Sequence, residues 1–379
     1  MLPGIVNSKS KTFLAFCFCF LVGIATISLI DKTIPFVYIY FFLFTSLGLS
    51  IIFRETIATR FFLLCIFFFC LGAGRYLIAS PSRPEILSDA GFMAVVVEEP
   101  DIRIDATRYI VQTDNYRVFI KAPRYPAYEY GDNVRVNCRR LESPEPFIDG
   151  DTGKIFHYDK YLAVQGVGAV CQDAEIHLLT KGEGDFLKAK LLDIKKSLHT
   201  QVTRLWHEPY ASFMAGILYG YRGGLGKLEE EFQDTGVSHI VAISGYNISL
   251  IASLLITFCI HLWIPRKKAF WLSSIGIILF VLFVGSSASV VRAGIMGFLV
   301  LLGRYFGRPK HMINALAASA VVMNIHNPYV LVWDVGFQLS FLSTIGILYL
   351  SPIFEDKFKR VQSWLGLREN LANTFAAIL

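Results

Sequence analysis

The stretch 236–253, GVSHIVAISGYNISLIAS, sets His239, Ser244, Asn247, Ser249 and Ser253 in an otherwise apolar run. Ser244 and Asn247 are three apart, and Ser249 and Ser253 four apart, so on a helix each pair shares a face. Further along, Arg292 follows SSASVV, Asp334 and Gln338 recur four apart, and Ser340 lies just beyond. In hydrocarbon every such group costs free energy unless protein or water satisfies it. Hydroxyls and amides of this kind can join membrane helices by hydrogen bonds. An arginine and an aspartate at or inside the boundary require more, either a wet cavity or each other. The sequence shows no hydrolytic triad, phosphate-cradling glycine loop or Walker-type lysine, so no enzyme activity, cofactor or metal is expected.

The elements that must position these residues are membrane helices. The 379 residues are 54% hydrophobic and 17% charged, with 32 Phe and a mean hydropathy of +0.49, which excludes an ordinary soluble domain. Apolar runs near the length of about 20 residues needed for a span are expected at Phe13–Ile30, Ile34–Phe53 and Phe61–Ala79, the N-terminal transmembrane domain 1–80. No small-x-small cleavage site follows the first run, so it reads as an anchor rather than a signal peptide. Later runs are Val237–Trp263, Ala269–Gly285, Val290–Phe306, Ile313–Ile325 and Val330–Leu350, within a transmembrane domain 207–379. Basic clusters at Lys9 and Lys11, Arg54 and Arg60, Arg266–Lys268, Arg304 to Lys310 and Lys357 to Arg360 fall at alternate ends of successive spans. The positive-inside rule puts them all in the cytoplasm and the segment after the third span outside.

That segment, residues 81–182, has short β-branched runs at Phe92–Glu99, Arg108–Thr113, Tyr116–Ala122 and Asp132–Leu141, a late pair around Tyr161–Gln172, and a tight-turn signal at Asp114-Asn115. About five short strands suggest a small external all-β barrel of the OB type. Its balance, twelve Lys or Arg against eighteen Asp or Glu between Pro81 and Asp185, is net −6 and opposes phosphate binding. Only a local strip of Arg135, Arg139 and Arg140 could touch DNA, and a solvated strand face is the competing reading. Cys138 and Cys171 both lie in strand-like stretches of this external insert, whereas the other five cysteines fall in spans, so a Cys138–Cys171 disulfide is expected. Residues 183–206 then place Leu187, Leu191, Ile194, Leu198 and Val202 on one side of a helix with lysines elsewhere, a pattern that suits either a helix in the membrane interface or one packed on protein.

Three stretches, TGVSHIVAISGYNISLI (235–251), SASVVRAGIMGFLVLLGRYFGR (287–308) and NALAASAVVMNIHNPYVLVWDVGFQLSFLSTIGILYLSP (314–352), resemble the signature stretches of the ComEC-type competence family. FMAGILYGYRGGL (213–225), GDNVRVNCR (131–139) and FHYDKYLAVQGV (156–167) are similar to other parts of it, so the likeness covers nearly the whole chain. By position, the family's recurrent residues fall on Gly236, Ser238, His239, Ser244, Gly245, Arg292, Asn327, Pro328, Asp334, Gly336, Phe337, Gln338 and Ser340. Where the family has Leu-His, this chain has Tyr246-Asn247, and Tyr221 replaces an acid before Arg222; both changes remove a titratable group and argue against a proton-relay or metal role there.

The resemblance implies an inner-membrane channel component that passes single-stranded DNA into the cytoplasm during natural transformation. A DNA receptor, a cytoplasmic ATPase or helicase and other copies of the chain would be its partners, and the polar positions would line or shape an aqueous path. Without the resemblance, a transporter of another anion or small solute, or a membrane-anchored binding protein working through its insert, fits the same residues. The His-x-His-x-Asp-His cluster of the metallo-β-lactamase-like domain found in many members does not occur, and LANTFAAIL ends the sequence inside what reads as the start of another helix, so a fragment or a shortened member is expected, with the domain 207–379 C-terminally incomplete.

Overall fold

The computed structural model describes residues 8–30, 35–79, 87–102, 106–148, 153–221, 225, 227–236, 245–285, 287–307 and 312–365. Helices α1 (Lys9–Ile30), α2 (Phe36–Ile52) and α3 (Ile57–Ile78) open the chain. Among the described residues three helices are long and apolar enough to cross a membrane, namely α1, α3 and Arg266–Val284. The crossing of α1 on α3 is set by a reciprocal glycine pair. Gly23 stands over the Phe69 carbonyl and Gly72 over that of Phe20, at a separation that leaves no room for a Cβ. Small residues let backbones approach in this way where the surrounding lipid offers no hydrophobic drive. Phe20, Ile24, Cys70, Ala73 and Tyr76 fill the core around the crossing.

Strands β1 (Leu87–Val96), β2 (Asp101–Ile102), β3 (Thr107–Gln112), β4 (Arg117–Ala122), β5 (Asn133–Glu142) and β8 (Val167–Thr180) make one sheet, in the order β1-β5-β8-β4-β3-β2. β1 also pairs with β3, through Val95↔Gln112 and Val96↔Val111, so the pairing runs from β1 through β5, β8, β4 and β3 back to β1. Every pairing is antiparallel except β4 with β8. Val96, Tyr109, Val111, Val118, Ile120, Val134, Val136 and Leu141 fill its interior. The turn expected at Asp114-Asn115 is present, closed by the Thr113 amide to the Tyr116 carbonyl at 2.9 Å.

The expected late pair of strands is corrected to one helix and one strand. Residues Tyr158–Val164 form α4, which buries Leu162 and Ala163 and stops at Gly166, whose φ of +72° suits glycine alone. Before it, β6 (Phe147–Ile148) and β7 (Ile155–Phe156) pair as a separate two-stranded sheet.

Helix α5 (Phe186–Leu205) starts on an Asp185 cap that accepts from the Lys188 amide at 3.0 Å. Its apolar stripe divides, for Leu187, Ile194 and Leu198 are exposed while Val202 turns inward with Ala211, Ala215 and Tyr219. Thereafter come α6 (Tyr210–Tyr219), ended by Gly220 at φ +72°, α7 (Lys227–Asp234), α8 (Gly245–His261), α9 (Arg266–Val284), α10 (Ala288–Tyr305), α11 (Met312–His326) and α12 (Val330–Trp333). Helix α13 (Val335–Leu365) belongs to a second compact unit, Asp334–Leu379. The single apolar run expected at Val330–Leu350 is thus broken at Asp334. Its carboxylate accepts from the Phe337 amide at 3.1 Å and begins a new helix there.

Candidate functional site

Helices α8, α9 and α10 pack around Ile248, Phe270, Ile277, Val284, Val290 and Leu301. Small residues bring them close, since a Cβ on Gly276 would meet the Leu255 side chain and one on Gly294 would meet Val281. In the same manner Gly245 admits Arg292. A Cβ at Gly245 would lie 3.6 Å from Arg292 Nη2 and 3.5 Å from the Ala293 Cβ, so the guanidinium lies against the backbone at the head of α8. Arg292 is half-buried, with Nη1 3.7 Å from Met296 Sδ one turn along α10. Asn247 turns the other way: its Nδ2 donates to the Ile217 carbonyl at 3.1 Å, satisfying an acceptor in the last turn of α6. The structure therefore brings Gly245 and Arg292 together and uses Asn247 to tie α8 to α6. His239 and Ser244 lie outside the described residues. In the second unit, Asp334 and Gln338 are one helical turn apart, with the Gln338 amide donating to the Asp334 carbonyl at 3.1 Å, and Ser340 is buried.

Of a second polar constellation the sequence reading named only Asn327, through the family resemblance. Asn327 Nδ2 donates to the Val164 carbonyl at the end of α4 at 2.7 Å, while its Oδ1 accepts from the Tyr329 amide at 3.1 Å. Arg75, in the last turn of α3, donates from Nε to the Ile325 carbonyl at 2.7 Å and from Nη2 to that of His326 at 2.8 Å. It thereby caps the C-terminus of α11, where carbonyls lack helical partners and a cation meets the negative end of the helix dipole. Trp333 Nε1 donates to Ser28 Oγ at 2.8 Å, and the Tyr76 and Tyr329 rings lie 4.9 Å apart. The signal available beforehand was Arg75 itself, a lone charge late in an apolar helix.

On the insert, Arg135, Arg139 and Arg140 are all exposed, but Arg140 is paired with Glu142, which leaves less positive charge for a phosphate than the strip suggests. Cys138 and Cys171 are bonded, with Cα atoms 5.7 Å apart, and both lie in the sheet's interior. The insert is held to α5 by lysines. Lys195 is buried against Glu99 at 2.7 Å, Lys196 pairs with Glu129, and Lys188 Nζ donates to the Val97 carbonyl at 2.7 Å while lying over the Tyr130 ring. Burial pushes the Lys188 ammonium below its usual range, and the hydrogen bond to Glu129 raises that of Lys196. On the same helix the His199 ring bonds the Tyr219 hydroxyl at 3.0 Å and lies 4.0 Å from the Tyr221 ring; burial lowers its pKa.

Comparison with known proteins covers the part of the chain that holds Arg292 and Asn327. Residues 217–379 match the family described as Competence protein. This stretch is similar to that family and is the competence domain in the sense of the match alone. The chain is also similar to ComE operon protein 3 of Bacillus subtilis (strain 168), with 26% identity over 272 residues, 71% of this chain and 33% of that protein. It thus spans about a third of the length of the curated relative it matches. No solved structure matches. Gly245, Asn247, Arg292 and Asn327 all lie within the competence domain, whereas Arg75, Val164 and Ser28 meet it from outside.

Proposed function

We propose that the chain is a component of a membrane channel that carries single-stranded DNA into the cytoplasm. The observation that supports this most is Arg292, a half-buried guanidinium seated against Gly245 inside an apolar helix layer of the competence domain. A charge at such a place is retained where it meets water, an anion or a polar protein group, and a guanidinium is suited to phosphate. In this reading the spans cross the membrane several times, the disulfide fits an extracytoplasmic insert, and the chain does no covalent chemistry, so other competence proteins supply the energy. The ring of pairings with its one parallel pair, β4 with β8, supports reading the insert as an OB-like barrel. Exposed Arg135 and Arg139 would then make weak, salt-sensitive contacts with DNA.

The test is entry of labelled DNA into a strain lacking this protein, complemented by the natural chain or by Arg292→Ala. The natural chain should restore uptake. Loss of one charge-assisted contact of about 1.5–3 kcal/mol should slow passage about 10- to 160-fold. Normal uptake by an Arg292→Ala protein present in the membrane at the natural level would defeat the assignment.

A further inference from the structure

The hairpin β6–β7 exposes more apolar surface than a soluble loop requires. Its register pairs Phe147 with Phe156 and Ile148 with Ile155, so the two phenylalanines share one face and the two isoleucines the other. On the aromatic face Phe147, Phe156, Tyr158 and Tyr161 form a chain of ring contacts at 5.4–6.3 Å that fixes the hairpin to α4. Even so, Phe147 remains 51% exposed and Phe156 44%, while Ile148 and Ile155 are 72% and 63% exposed. A two-residue, two-stranded sheet has little stability of its own in water.

Its attachment fixes where this surface sits. His157, the residue after β7, has its ring 5.1 Å from that of Trp333, which is bonded to Ser28 in the last turn of α1. Ala163 and Val164 of α4 pack in one cluster with Ile24 and Ile27 of α1, Tyr76 of α3, and Tyr329. The hairpin is therefore held on the side of the ends of two helices long enough to span a bilayer. Aromatic and aliphatic side chains at that depth occupy the boundary between headgroups and acyl chains.

We propose that β6–β7 is a foot of the insert, seated in the lipid interface beside the ends of α1 and α3. Charge decides between lipid and nucleic acid as its occupant. The segment 144–156, PEPFIDGDTGKIF, carries Glu145, Asp149 and Asp151 against Lys154 alone. A strand stacking its bases on these rings would bring phosphates to a segment of net acidic sequence, whereas burial of apolar area in an interface needs no attraction between charges. The inference rests on reading α1 and α3 as spans.

The test uses the full chain in nanodiscs of phosphatidylethanolamine and phosphatidylglycerol, some with brominated acyl chains. Ile148→Trp and, independently, Ile155→Trp are compared with the natural chain. The additional emission of each variant should be blue-shifted, quenched by the brominated lipid and shielded from acrylamide. Additional emission quenched by acrylamide and unaffected by brominated lipid would overturn the proposal. So would quenching by oligothymidylate alone, which would give the hairpin to base stacking. The natural chain supplies the control on the spans. Quenching of its own tryptophans by brominated lipid, Trp271 on α9 among them, shows the helices embedded even when the hairpin is not; loss of that baseline overturns the span reading together with the foot.

Discussion

Replacing Gly23 with alanine should loosen the contact between α1 and α3 more than its size suggests. A Cβ at Gly23 would lie 2.1 Å from the Phe69 carbonyl oxygen, and one at Gly72 2.1 Å from that of Phe20. Ordinary carbon–oxygen contact begins at about 3.3 Å, so the helices must part by roughly 1 Å, since a backbone carbonyl cannot rotate aside as a side chain can. A gap of about 0.5–1 Å already forfeits a quarter to a half of each dispersion contact it opens. Those contacts belong to Phe20, Ile24, Cys70, Ala73 and Tyr76. Overpacking typically costs about 1–3 kcal/mol, and a clash of backbone with backbone belongs at the upper end. Alanine regains about 0.5–1 kcal/mol over glycine in a helix. The net expectation is a loss of about 2 kcal/mol for Gly23→Ala and a similar loss for Gly72→Ala. The double variant should be little worse than either alone, because the first alanine opens the gap that the second fills. Gly48→Ala in α2 is the control, for nothing lies within 4 Å of the added Cβ and the propensity gain stands alone. Thermal denaturation of the purified chain in detergent should rank Gly48→Ala at or above the natural protein and all three crossing variants below it. If Gly23→Ala melted with Gly48→Ala, the reciprocal glycine contact would not exist.

Two further outcomes follow from the insert and from α5. Replacing Cys138 and Cys171 together with alanine opens a covalent link with a sequence separation of 33. On chain-entropy grounds this should cost roughly 3.5–4 kcal/mol; proteolysis of the strand region should quicken markedly in the variant, and an unchanged digestion rate would count against a stabilising bridge. Burial depresses the pKa of His199 from its ordinary 6.5, so the unfolded chain binds the proton first. The junction of α5 with α6 should be most stable above about pH 6.5, lose stability as pH falls, and stop losing it once the folded His199 itself titrates. A melting profile over acidic pH should lose that component in His199→Gln, and identical profiles for the two proteins would refute the coupling.

Composition and hydropathy were sufficient to place α1, α2, α3, α9 and α10 within a few residues, because a span must hold an unbroken apolar run and such runs are visible residue by residue. The strands of the insert were legible for the same local reason, through their alternation. Tyr161–Val164 was not, since YLAV suits a short helix as well as a strand and only its seat beside Tyr329 decides between them. Asp334 was read as a charge within a span because its neighbours are apolar, whereas in the structure it is the cap that divides α12 from α13. Of the candidate site, Arg292 could be named from its type and Gly245 from the family resemblance, but their contact depends on how α8 crosses α10. The lysines of α5 were placed only away from its apolar side, and the burial of Lys195 was not legible, since its partner Glu99 is 96 residues away in sequence.

Distance in sequence also explains why the first membrane helices look like mere anchors until the fold is known. Two side-chain ties join α1 to the competence domain, Asn314 Nδ2 donating to Ser10 Oγ at 2.8 Å and Trp333 Nε1 donating to Ser28 Oγ at 2.8 Å. Ser10 and Ser28 lie eighteen residues apart on one helix, which at 1.5 Å per residue is about 27 Å, close to the roughly 30 Å of a hydrocarbon core. Between them α1 offers Cys17, Phe20, Ile24 and Ile27 as buried apolar contacts. Polar ties at both ends with apolar packing between them is the arrangement a bilayer demands, since a hydrogen-bonding group that fails to find its partner costs least where water can reach it. Arg75 adds a third tie, at the extremity of α3, to the carbonyls of α11 that immediately precede Asn327. The Asn327 turn is thereby fixed from three directions at once, by α1 through Trp333, by α3 through Arg75 and by the insert through Val164. A change in α1 or α3 can therefore shift the competence domain without touching any residue of it.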